Sequence, residues 1–230
     1  MISRAALVMA VPKGRTLGPV SKLLTKVGVT AAPDAKGTVA PLASVLSEDS
    51  RALIRRASFA GQPLDMLLLK PDDVPTYVEY GAADLGIAGR DVLVEREVDV
   101  YQPVDLGIGK CRMVVAGKAG DHSVPAGRMP RVATKFPRTA AAHFARKGIQ
   151  VEVVNVQGSV ELAPLVGLAD YIVDLVETGT TLVENGLEVK EDIAKVSTML
   201  VANRASYKLR GDVIGALVSG LRDALTKPSS

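Results

Sequence analysis

The sequence contains few aromatic residues and no tryptophan. Phe, Tyr and Trp make up 3% of the 230 residues, whereas 47% of the residues are hydrophobic. The core must therefore be built mainly from aliphatic side chains, and enough of them are present to exclude a mainly disordered chain. Proteins that bind single-stranded nucleic acid by stacking need aromatic platforms, so the scarcity of aromatic residues argues against that function.

Cysteine and histidine are also scarce. Cys111 is the only cysteine, which excludes an internal disulfide and a cysteine-rich zinc site. His122 and His143 are the only histidines and lie far apart in the sequence. A metal site made only of protein side chains is therefore not expected, and a Ser-His-Asp triad has little support. We expect a cytosolic protein, with Cys111 as an ordinary buried strand residue.

Long apolar runs and long basic runs are both missing. A membrane-spanning helix needs about 20 mostly apolar residues, and the longest stretch without Asp, Glu, Lys or Arg covers only residues 37–47. The net charge is +3 and the sequence pI is near 9.0. A protein that coats DNA would need a clustered basic patch. A pocket for a polyanionic small molecule needs only a few well-placed cations, and we favour that interpretation.

Short apolar runs alternate with longer helical patterns along the chain. Strands are predicted at residues 5–10, 64–69, 84–88, 111–116, 131–134, 151–156, 171–176 and 196–202. Helices are predicted between them, including residues 137–147, 159–168 and 208–225, and a helix after Asp73 with a carboxylate cap. This alternation is typical of an α/β fold with largely parallel sheets covered by helices.

The most informative segment begins with the strand predicted at residues 171–176. The strand carries Asp174 near its carboxyl end, Glu177 follows, and the chain turns through Thr178-Gly179-Thr180-Thr181 into a helix. Ligands of α/β sheets bind at this end of the strands, and backbone N–H groups and hydroxyls of such a turn suit a phosphate. The carboxylates could accept hydrogen bonds from ribose hydroxyls. The pattern favours a ribose-phosphate cradle over an ordinary strand-to-helix turn with a threonine cap.

A ten-position pattern links this segment to the one before it. The positions are Glu161, Gly167, Ala169, Ile172, Asp174, Leu175, Thr178, Gly179, Thr181 and Leu182. The pattern resembles the signature of the ATP phosphoribosyltransferases, the first enzymes of histidine biosynthesis. The resemblance continues in Pro12-Lys13-Gly14-Arg15, in the block from Asp73 to Asp91, in Arg131-Val-Ala-Thr-Lys135-Phe, and in Ser206-Tyr207-Lys208. It therefore covers nearly the whole chain.

The resemblance implies a two-lobed α/β fold similar to that of type II periplasmic binding proteins, with the active site in the cleft between the lobes. We expect residues 1–98 with 183–230 to form lobe I. Residues 99–182 would form lobe II, which carries the phosphoribosyl-pyrophosphate loop. The chain resembles the short form of the family, which has no C-terminal regulatory domain. That form works in a hetero-octamer with a regulatory subunit resembling histidyl-tRNA synthetase, and histidine exerts feedback through this subunit.

The resemblance also implies the reaction. N1 of the adenine of ATP would displace pyrophosphate from C1 of 5-phosphoribosyl 1-pyrophosphate, with inversion. Adenine N1 is already a nucleophile, so the reaction needs no activated serine or cysteine. The leaving group is a polyanion, so Mg²⁺, bound mainly through the substrate pyrophosphate, and cationic side chains should supply much of the catalysis. The expected catalytic residues are Lys13, Arg15 and Arg51.

The remaining assignments complete the expected site. Residues expected to bind phosphoribosyl pyrophosphate are Glu161, Asp174, Glu177, Thr178, Gly179, Thr180 and Thr181, with Ser159 and Lys135 as further substrate contacts. Side chains expected to be structural are Arg55 and Arg56 on a solvated helix face, Asp72, Asp73 and Asp91 as caps or ion-pair partners, and Leu162, Leu165 and Val166 in the core. Two alternatives remain: a two-lobed ligand-binding module without chemistry, and a nucleic-acid-binding protein.

Overall fold

The computed structural model describes residues 6–47, 52–121 and 127–226. The chain divides into two compact units, Met1–Gly109 with Ser197–Ser230, and Lys110–Val196. Each unit is built on one β-sheet, with seven strands in the first unit and five in the second. Among the described helices, none has both the length and the apolar character needed to span a membrane.

Strands and helices alternate along most of the chain. The strands are β1 (Leu7–Pro12), β2 (Thr30–Ala31), β3 (Ile54–Phe59), β4 (Gln62–Leu69), β5 (Leu85–Gly89), β6 (Tyr101–Asp105), β7 (Cys111–Lys118), β8 (Arg131–Thr134), β9 (Glu152–Asn155), β10 (Tyr171–Val176), β11 (Leu187–Val196) and β12 (Thr198–Ala202). The helices are α1 (Leu17–Lys26), α2 (Leu42–Val45), α3 (Val74–Glu79), α4 (Arg90–Arg96), α5 (Pro137–Arg146), α6 (Leu162–Leu165), α7 (Thr180–Glu184), α8 (Arg204–Leu209) and α9 (Gly211–Thr226). A single 3₁₀ turn, Pro71–Asp73, leads into α3.

The sheet of the first unit has the order β2-β3-β4-β1-β5-β12-β6. Its centre is parallel, because β1 pairs in parallel with both β4 and β5, and the outer strands pair antiparallel. Alternate residues of these strands enter two cores on opposite faces. Helices α1 and α9 cover one face, and α3 and α4 cover the other. The carboxyl ends of β4, β1 and β5 therefore meet at one edge.

The sheet of the second unit has the order β11-β7-β10-β8-β9. Strands β10, β8 and β9 are parallel, whereas β7 runs antiparallel to both β10 and β11. On one face, α6 contributes Ala163 to the core, α7 contributes Leu182, and Val160 comes from the loop before α6. On the other face, α5 contributes Ala140 and Phe144. The two sheets are thus mixed, which corrects the expectation of largely parallel sheets.

The predicted elements are confirmed best where strands are apolar. Strands β8 and β10 have the predicted bounds, and α5 ends one residue early, at Arg146. Four strands were not predicted: β2, β3, β6 and β11. The Asp73 side chain makes no capping hydrogen bond to α3, contrary to expectation, because the 3₁₀ turn carries the chain into the helix. Cys111 lies in β7, as predicted, but it is half-buried.

The boundaries between the units differ from those expected for the two lobes. The first unit extends to Gly109 because β6 pairs with β12 in its sheet. The second unit extends to Val196 because β11 pairs with all eight residues of β7, with two irregularities in register. Side chains also attach β11 to α5. Lys147 donates to Glu191 at 2.6 Å, which, with the neighbouring His143, holds the pKa of Glu191 below its ordinary value although desolvation opposes this.

Arg55 and Arg56 lie in strand β3, so their expected placement on a solvated helix face is wrong. Arg55 is only 6% exposed. Its Nε donates to the carbonyl of Val45 at 2.6 Å, and its guanidinium also contacts the carbonyl of Ala52. Arg56 pairs across the strands with the buried carboxylate of Asp65. Arg55 thus ties the segment that ends in α2 to the edge of the sheet.

Replacing Arg55 by alanine should destabilise the protein. The substitution removes a buried side chain and leaves partly buried carbonyl groups without their donor, which costs up to about 1–3 kcal/mol for each group that water cannot reach. Urea unfolding should show a lower midpoint for Arg55→Ala, whereas Arg96→Ala, an exposed change in the last turn of α4, should leave the midpoint unchanged. Equal unfolding midpoints for both variants would show that the Arg55 side chain does not stabilise the fold.

Candidate functional site

The carboxyl ends of three parallel strands bring the predicted residues of the second unit to one edge. Val173 of β10 lies opposite Thr134 of β8, and Thr134 lies opposite Asn155 of β9. Lys135 follows β8 directly, and Asp174 is the next residue of β10 after the paired segment. The loops that follow β8, β9 and β10 therefore start side by side, as expected for the ligand-binding edge of an α/β sheet.

The turn between β10 and α7 has the backbone geometry that the sequence predicted. Gly179 has φ +88° and stands at the N-terminus of α7. A Cβ atom there would meet only Val176 Cγ1, at 3.7 Å, so the backbone conformation rather than lack of space requires glycine. The hydroxyls of Thr178 and Thr180 lie 3.0 Å apart, and both side chains are exposed. The turn presents hydroxyls and amides on one exposed surface.

The backbone amides at the start of α7 precede the intrahelical hydrogen bonds. Val183 N–H donates to Gly179 C=O at 3.2 Å, and this is the first bond of the helical pattern. The amides of Thr180, Thr181 and Leu182 therefore come before it, at a helix end where N–H groups need other acceptors. Thr180 N–H lies 3.5 Å from Thr178 Oγ1, which is a long contact. An anion at the turn would be a better acceptor.

Two carboxylates border the same turn. Asp174 is half-buried in β10, and its Oδ1 accepts a hydrogen bond from Leu175 N–H at 2.8 Å. Glu177 is exposed in the residue after the strand. One carboxylate is thus held by the strand itself, and the other lies on the loop. Both stand next to the Thr178–Thr181 segment, in the positions expected for residues that accept hydrogen bonds from a sugar.

A second loop, between β9 and α6, carries Ser159 and Glu161. Ser159 adopts φ +47°, a left-handed conformation that is uncommon for serine, and Glu161 is half-buried where α6 begins. Val160 lies between them and belongs to the same buried cluster as Val176 and Leu182. This shared core fixes both loops on one face of the sheet. Ser159 and Glu161 therefore lie on the same side of the sheet as the threonine turn.

Helix α6 is shorter than expected and leaves apolar side chains in solvent. The helix covers Leu162–Leu165 rather than residues 159–168, because Ser159 has a positive φ of +47° before it and Gly167 reverses the backbone after it, with φ +73°. Leu162, Leu165 and Val166 are 50%, 44% and 72% exposed, so their expected place in the core is wrong. Ala163 and Pro164 are the buried residues of this helix.

Ion pairing at the opposite edge of the sheet fixes the start of β10. Asp170 accepts two hydrogen bonds from the Arg128 guanidinium, at 2.6 and 2.8 Å, and one from Arg131 N–H at 2.7 Å. The Arg128 contact, together with the Arg131 amide, holds the pKa of Asp170 below its ordinary value, although desolvation raises it. Asp170 N–H donates in return to Arg131 C=O. These bonds set the register of β10 against β8.

In the first unit, the segment after β1 forms a turn at the carboxyl edge of the sheet. Lys13 N–H donates to Leu69 C=O at 2.8 Å, so the parallel pairing with β4 continues past β1. Gly14 has φ +92°, and its C=O accepts from Leu17 N–H, which starts α1. Lys13 is half-buried and Arg15 is exposed. Arg51, the third expected catalytic residue, lies outside the described residues.

Two further cations stand at that edge, and sequence reasoning did not single them out. Lys70 follows β4 directly, and Arg90 follows β5. The strand order β4-β1-β5 puts Lys70 and Arg90 on either side of Lys13. The sequence shows a lysine or arginine shortly after each of the strands β4, β1 and β5. It does not show the spatial order of these strands, which makes the three cations neighbours.

The described residues contain no group of three or more His, Cys, Asp or Glu side chains arranged to hold a metal ion. Asp174 and Glu177 are oxygen donors of the type that Mg²⁺ prefers, but two carboxylates do not form a complete ligand set. A metal at this edge would need oxygens from a substrate as well.

Comparisons with known proteins agree with the site pattern. Residues 70–223 match the family model HisG, described as ATP phosphoribosyltransferase. An ATP phosphoribosyltransferase of Sorangium cellulosum is 56% identical over 218 residues, covering 95% of both chains. One from Bacillus subtilis is 44% identical over 216 residues, covering 94% of this chain and 93% of the relative.

Solved structures agree with the fold. The ATP phosphoribosyl transferase (HisG:HisZ) complex from Thermotoga maritima contains a chain that matches with TM-score 0.78 and 35% identity, covering 95% of this chain and 98% of that one. The periplasmic aliphatic sulphonate binding protein SsuA from Escherichia coli matches with TM-score 0.57 at 12% identity, covering 96% and 73%. The expected similarity of fold to periplasmic binding proteins is confirmed. The family model matches more than half of the chain and the relatives cover nearly all of it, and the chain belongs to the ATP phosphoribosyltransferase family.

Proposed function

We propose that the protein catalyses the first step of histidine biosynthesis. It condenses ATP with 5-phosphoribosyl 1-pyrophosphate to give N1-(5-phosphoribosyl)-ATP and pyrophosphate, and is therefore a pentosyltransferase. The observation that carries the proposal is the position of the ten-residue pattern. Its Asp174, Thr178, Gly179 and Thr181 lie at the carboxyl edge of the parallel strands, in a chain 56% identical to an ATP phosphoribosyltransferase.

The Thr178–Thr181 turn is proposed to bind the 5′-phosphate of phosphoribosyl pyrophosphate. It offers three threonine hydroxyls, and its amides precede the first intrahelical bond of α7. Gly179 provides the backbone reversal that aims these groups outward. Backbone N–H groups in such a turn are fixed donors, so they bind an anion without reorganising. The turn therefore supplies neutral donors, and the phosphate supplies the negative charge.

Asp174 and Glu177 are proposed to bind the ribose hydroxyls of the same substrate. Both carboxylates flank the turn, one in the strand and one directly after it. A sugar attached to the bound 5′-phosphate would extend along this edge. As the bond from C1 to pyrophosphate breaks, the ribose gains positive charge, and two nearby carboxylates would favour that charge electrostatically. Ser159, Glu161 and Lys135, on the neighbouring loops, are proposed as further contacts.

Lys13 and Arg15 are proposed to bind phosphate groups in the first unit, with Arg51 as a third cation assigned from the sequence. Lys13 is held by the continued pairing with β4, and Arg15 is exposed beyond Gly14. Fixed cations lower the barrier by stabilising the pyrophosphate as its charge grows. Adenine N1 attacks directly, so no side chain has to act as a nucleophile.

Mg²⁺ is proposed to enter with the substrate pyrophosphate. Two carboxylates beside the turn do not complete a magnesium site, and this ion is commonly bound by one or two carboxylates together with phosphate oxygens. When bound, the ion would neutralise charge on the leaving group. We place the reaction in the cytoplasm, the compartment expected from the sequence.

A regulatory subunit is proposed as the partner. The solved Thermotoga maritima complex pairs a chain like this one with HisZ. By analogy, the present chain would assemble with a subunit resembling histidyl-tRNA synthetase into a hetero-octamer, and histidine would act through that subunit.

The direct test is product formation from ATP and phosphoribosyl pyrophosphate, followed by absorbance with and without the regulatory subunit. Formation of N1-(5-phosphoribosyl)-ATP supports the proposal. Tight binding of both substrates without any product, in the presence of Mg²⁺ and the partner, would instead support the alternative of a binding module that does no chemistry.

Replacing Gly179 by valine should weaken binding of phosphoribosyl pyrophosphate. Valine is strained at φ +88°, so the turn would rearrange. Calorimetry should show a loss of roughly tenfold or more for this substrate, from loss of charge-assisted hydrogen bonds, and little change for ATP. Gly186→Val is the matched control, because Gly186 has φ +66° at the other end of α7 with nothing within 4 Å. Equal losses in both variants would contradict the assignment of the turn.

Replacing Arg15 by alanine should reduce the reaction rate while leaving the fold intact. Losing one charge-assisted contact to phosphate costs about 1.5–3 kcal/mol, or on the order of 10–100-fold in kcat/KM. Lys22→Ala, an exposed change on α1, is the control and should retain the rate. A folded Arg15→Ala enzyme with a rate within about twofold of the parent would exclude Arg15 from the site.

Histidine should inhibit only in the presence of the partner. If regulation lies in the second subunit, the isolated chain should keep its rate at histidine concentrations that inhibit the complex. The measurement is a histidine titration of the initial rate for both preparations. Non-competitive inhibition of the isolated chain, equal to that of the complex, would show that histidine acts on this chain. The proposal that regulation lies in the second subunit would then be wrong.

A further inference from the structure

Three neighbouring parallel strands of the first unit are each followed by a cation. Lys70 follows β4, Lys13 follows β1, and Arg90 follows β5, in the spatial order β4-β1-β5. The three residues therefore form a row across the carboxyl edge of the sheet, which we name the cation row. This edge is where α/β sheets bind their ligands.

The register of the strands fixes the spacing of the row. Pro12 lies opposite Leu69, and Lys13 N–H donates to Leu69 C=O, so Lys13 and Lys70 are next to each other across the two strands. Ala10 lies opposite Gly86, and the same register carried forward puts Lys13 opposite Gly89, one residue before Arg90. Neighbouring strands are about 4.8 Å apart. The backbones of Lys13 and Lys70 are thus about one strand spacing apart, close enough for linked phosphates to contact both side chains.

The two lysines are on the same face of the sheet. Val11 and Leu68 belong to one buried cluster, and side chains alternate along a strand, so the residues two positions later share that face. The backbone of Lys70 is extended, with φ −63° and ψ +142°, and Gly89 is extended as well, with φ −66° and ψ +139°. The extended geometry therefore continues to Lys70 after β4 and to Gly89 after β5, and Arg90 begins α4 directly after it.

The cation row is not neutralised by the protein. Within residues 6–47, 52–121 and 127–226, no carboxylate lies within 4.0 Å of the side-chain nitrogens of Lys13, Lys70 or Arg90. Asp91, the nearest acid in sequence to Arg90, folds back over Gly89. Like charges at adjacent strand positions repel each other and destabilise the sheet. A bound polyanion would remove this repulsion.

A glycine loop borders the row on the same edge. A Cβ atom on Gly109 would lie 3.4 Å from Thr16 Cγ2 and 3.6 Å from Thr198 Oγ1. Both distances are ordinary contacts, so the φ of +62° at Gly109, rather than lack of space, is what favours glycine there. The chain near Gly109 therefore lies against the turn that carries Lys13 and Arg15. The row is thus part of a built edge, with backbone close to where a ligand would lie.

We infer that Lys70 and Arg90 bind the polyphosphate chain of a substrate together with Lys13. The inference rests on the proposed function, which supplies two sources of such a chain: the triphosphate of ATP and the pyrophosphate of phosphoribosyl pyrophosphate. The shared chemistry is a run of two or three linked phosphates across neighbouring strand ends. Lys70 and Arg90 then act as substrate-binding residues in addition to those found from the sequence.

Calorimetric titration of the full chain with inorganic pyrophosphate and with tripolyphosphate tests the row directly. Lys70→Ala and Arg90→Ala should each weaken binding by about tenfold or more, since each removes a charge-assisted contact. Lys22→Ala and Arg96→Ala, exposed cations on α1 and α4, should stay within about twofold. Binding by Lys70→Ala and Arg90→Ala within twofold of the parent would overturn the inference.

Separate titrations with ATP and with phosphoribosyl pyrophosphate identify the source of the chain. A larger loss for ATP assigns the row to the triphosphate, and a larger loss for the other substrate assigns it to the pyrophosphate. If the parent binds both substrates and the variants bind each of them as tightly, the inference is overturned, even if the variants bind inorganic pyrophosphate more weakly. If an alanine variant fails to fold, Lys70→Gln and Arg90→Gln, which retain the first part of the side chain and remove the charge, are measured in its place.

Failure of this inference can be distinguished from failure of the proposed function. If the parent protein forms no product from ATP and phosphoribosyl pyrophosphate, the proposed function fails, while the pyrophosphate titrations still decide whether the row binds polyphosphate. If the parent is active and the Lys70 and Arg90 variants keep both substrate affinities, the cation row alone is wrong.

Discussion

The parallel pairing of three neighbouring strands in each unit is the constraint on which the site depends. In parallel strands all carboxyl ends lie at one edge, so loops distant in sequence become neighbours. Lys13, Lys70 and Arg90 meet in this way in the first unit, although about 20 residues or more separate them in the chain. Lys135 and Asp174 meet in this way in the second. A one-residue slip in register would move every one of these side chains to the other face.

The threonine turn depends on the core beneath it. Val160, Val176 and Leu182 come from three separate segments and share one buried cluster. Each of them is adjacent in sequence to an expected site residue. Burying an aliphatic side chain of this size is worth about 1.5–3 kcal/mol, which is comparable to the cost of the positive φ at Ser159. The packing can thus hold the loops in conformations that they would not adopt alone.

Structural elements could be predicted from the sequence where the local residue pattern agrees with the tertiary environment. Strand β10 is an apolar run followed by Thr-Gly-Thr-Thr, and both its bounds and the glycine conformation were predictable. Strand β11 was not, because it pairs on one side only and keeps charged residues along most of its length. Arg55 was misplaced for a related reason: its partners are backbone carbonyls, which leave no trace in the side-chain pattern. The residues next to Thr178 could therefore be found from the sequence, whereas the neighbours of Lys13 required the strand order.

The distribution of ion pairs over the two edges of each sheet explains how a net charge of only +3 suits a polyanion. At the amino edges, arginines are paired: Arg128 is hydrogen-bonded to Asp170, and Arg210 lies 3.7 Å from Asp84. Those cations stabilise the strand starts, and their charge is already compensated. At the carboxyl edge of the first unit, Lys13, Lys70 and Arg90 have no such partner among the described residues. The attraction between these cations and a bound anion depends on the charges close to it, because salt screens charges more than about 8–10 Å away. The total charge of the chain therefore says little about its ligand, whereas the unpaired cations at one edge favour binding of phosphates.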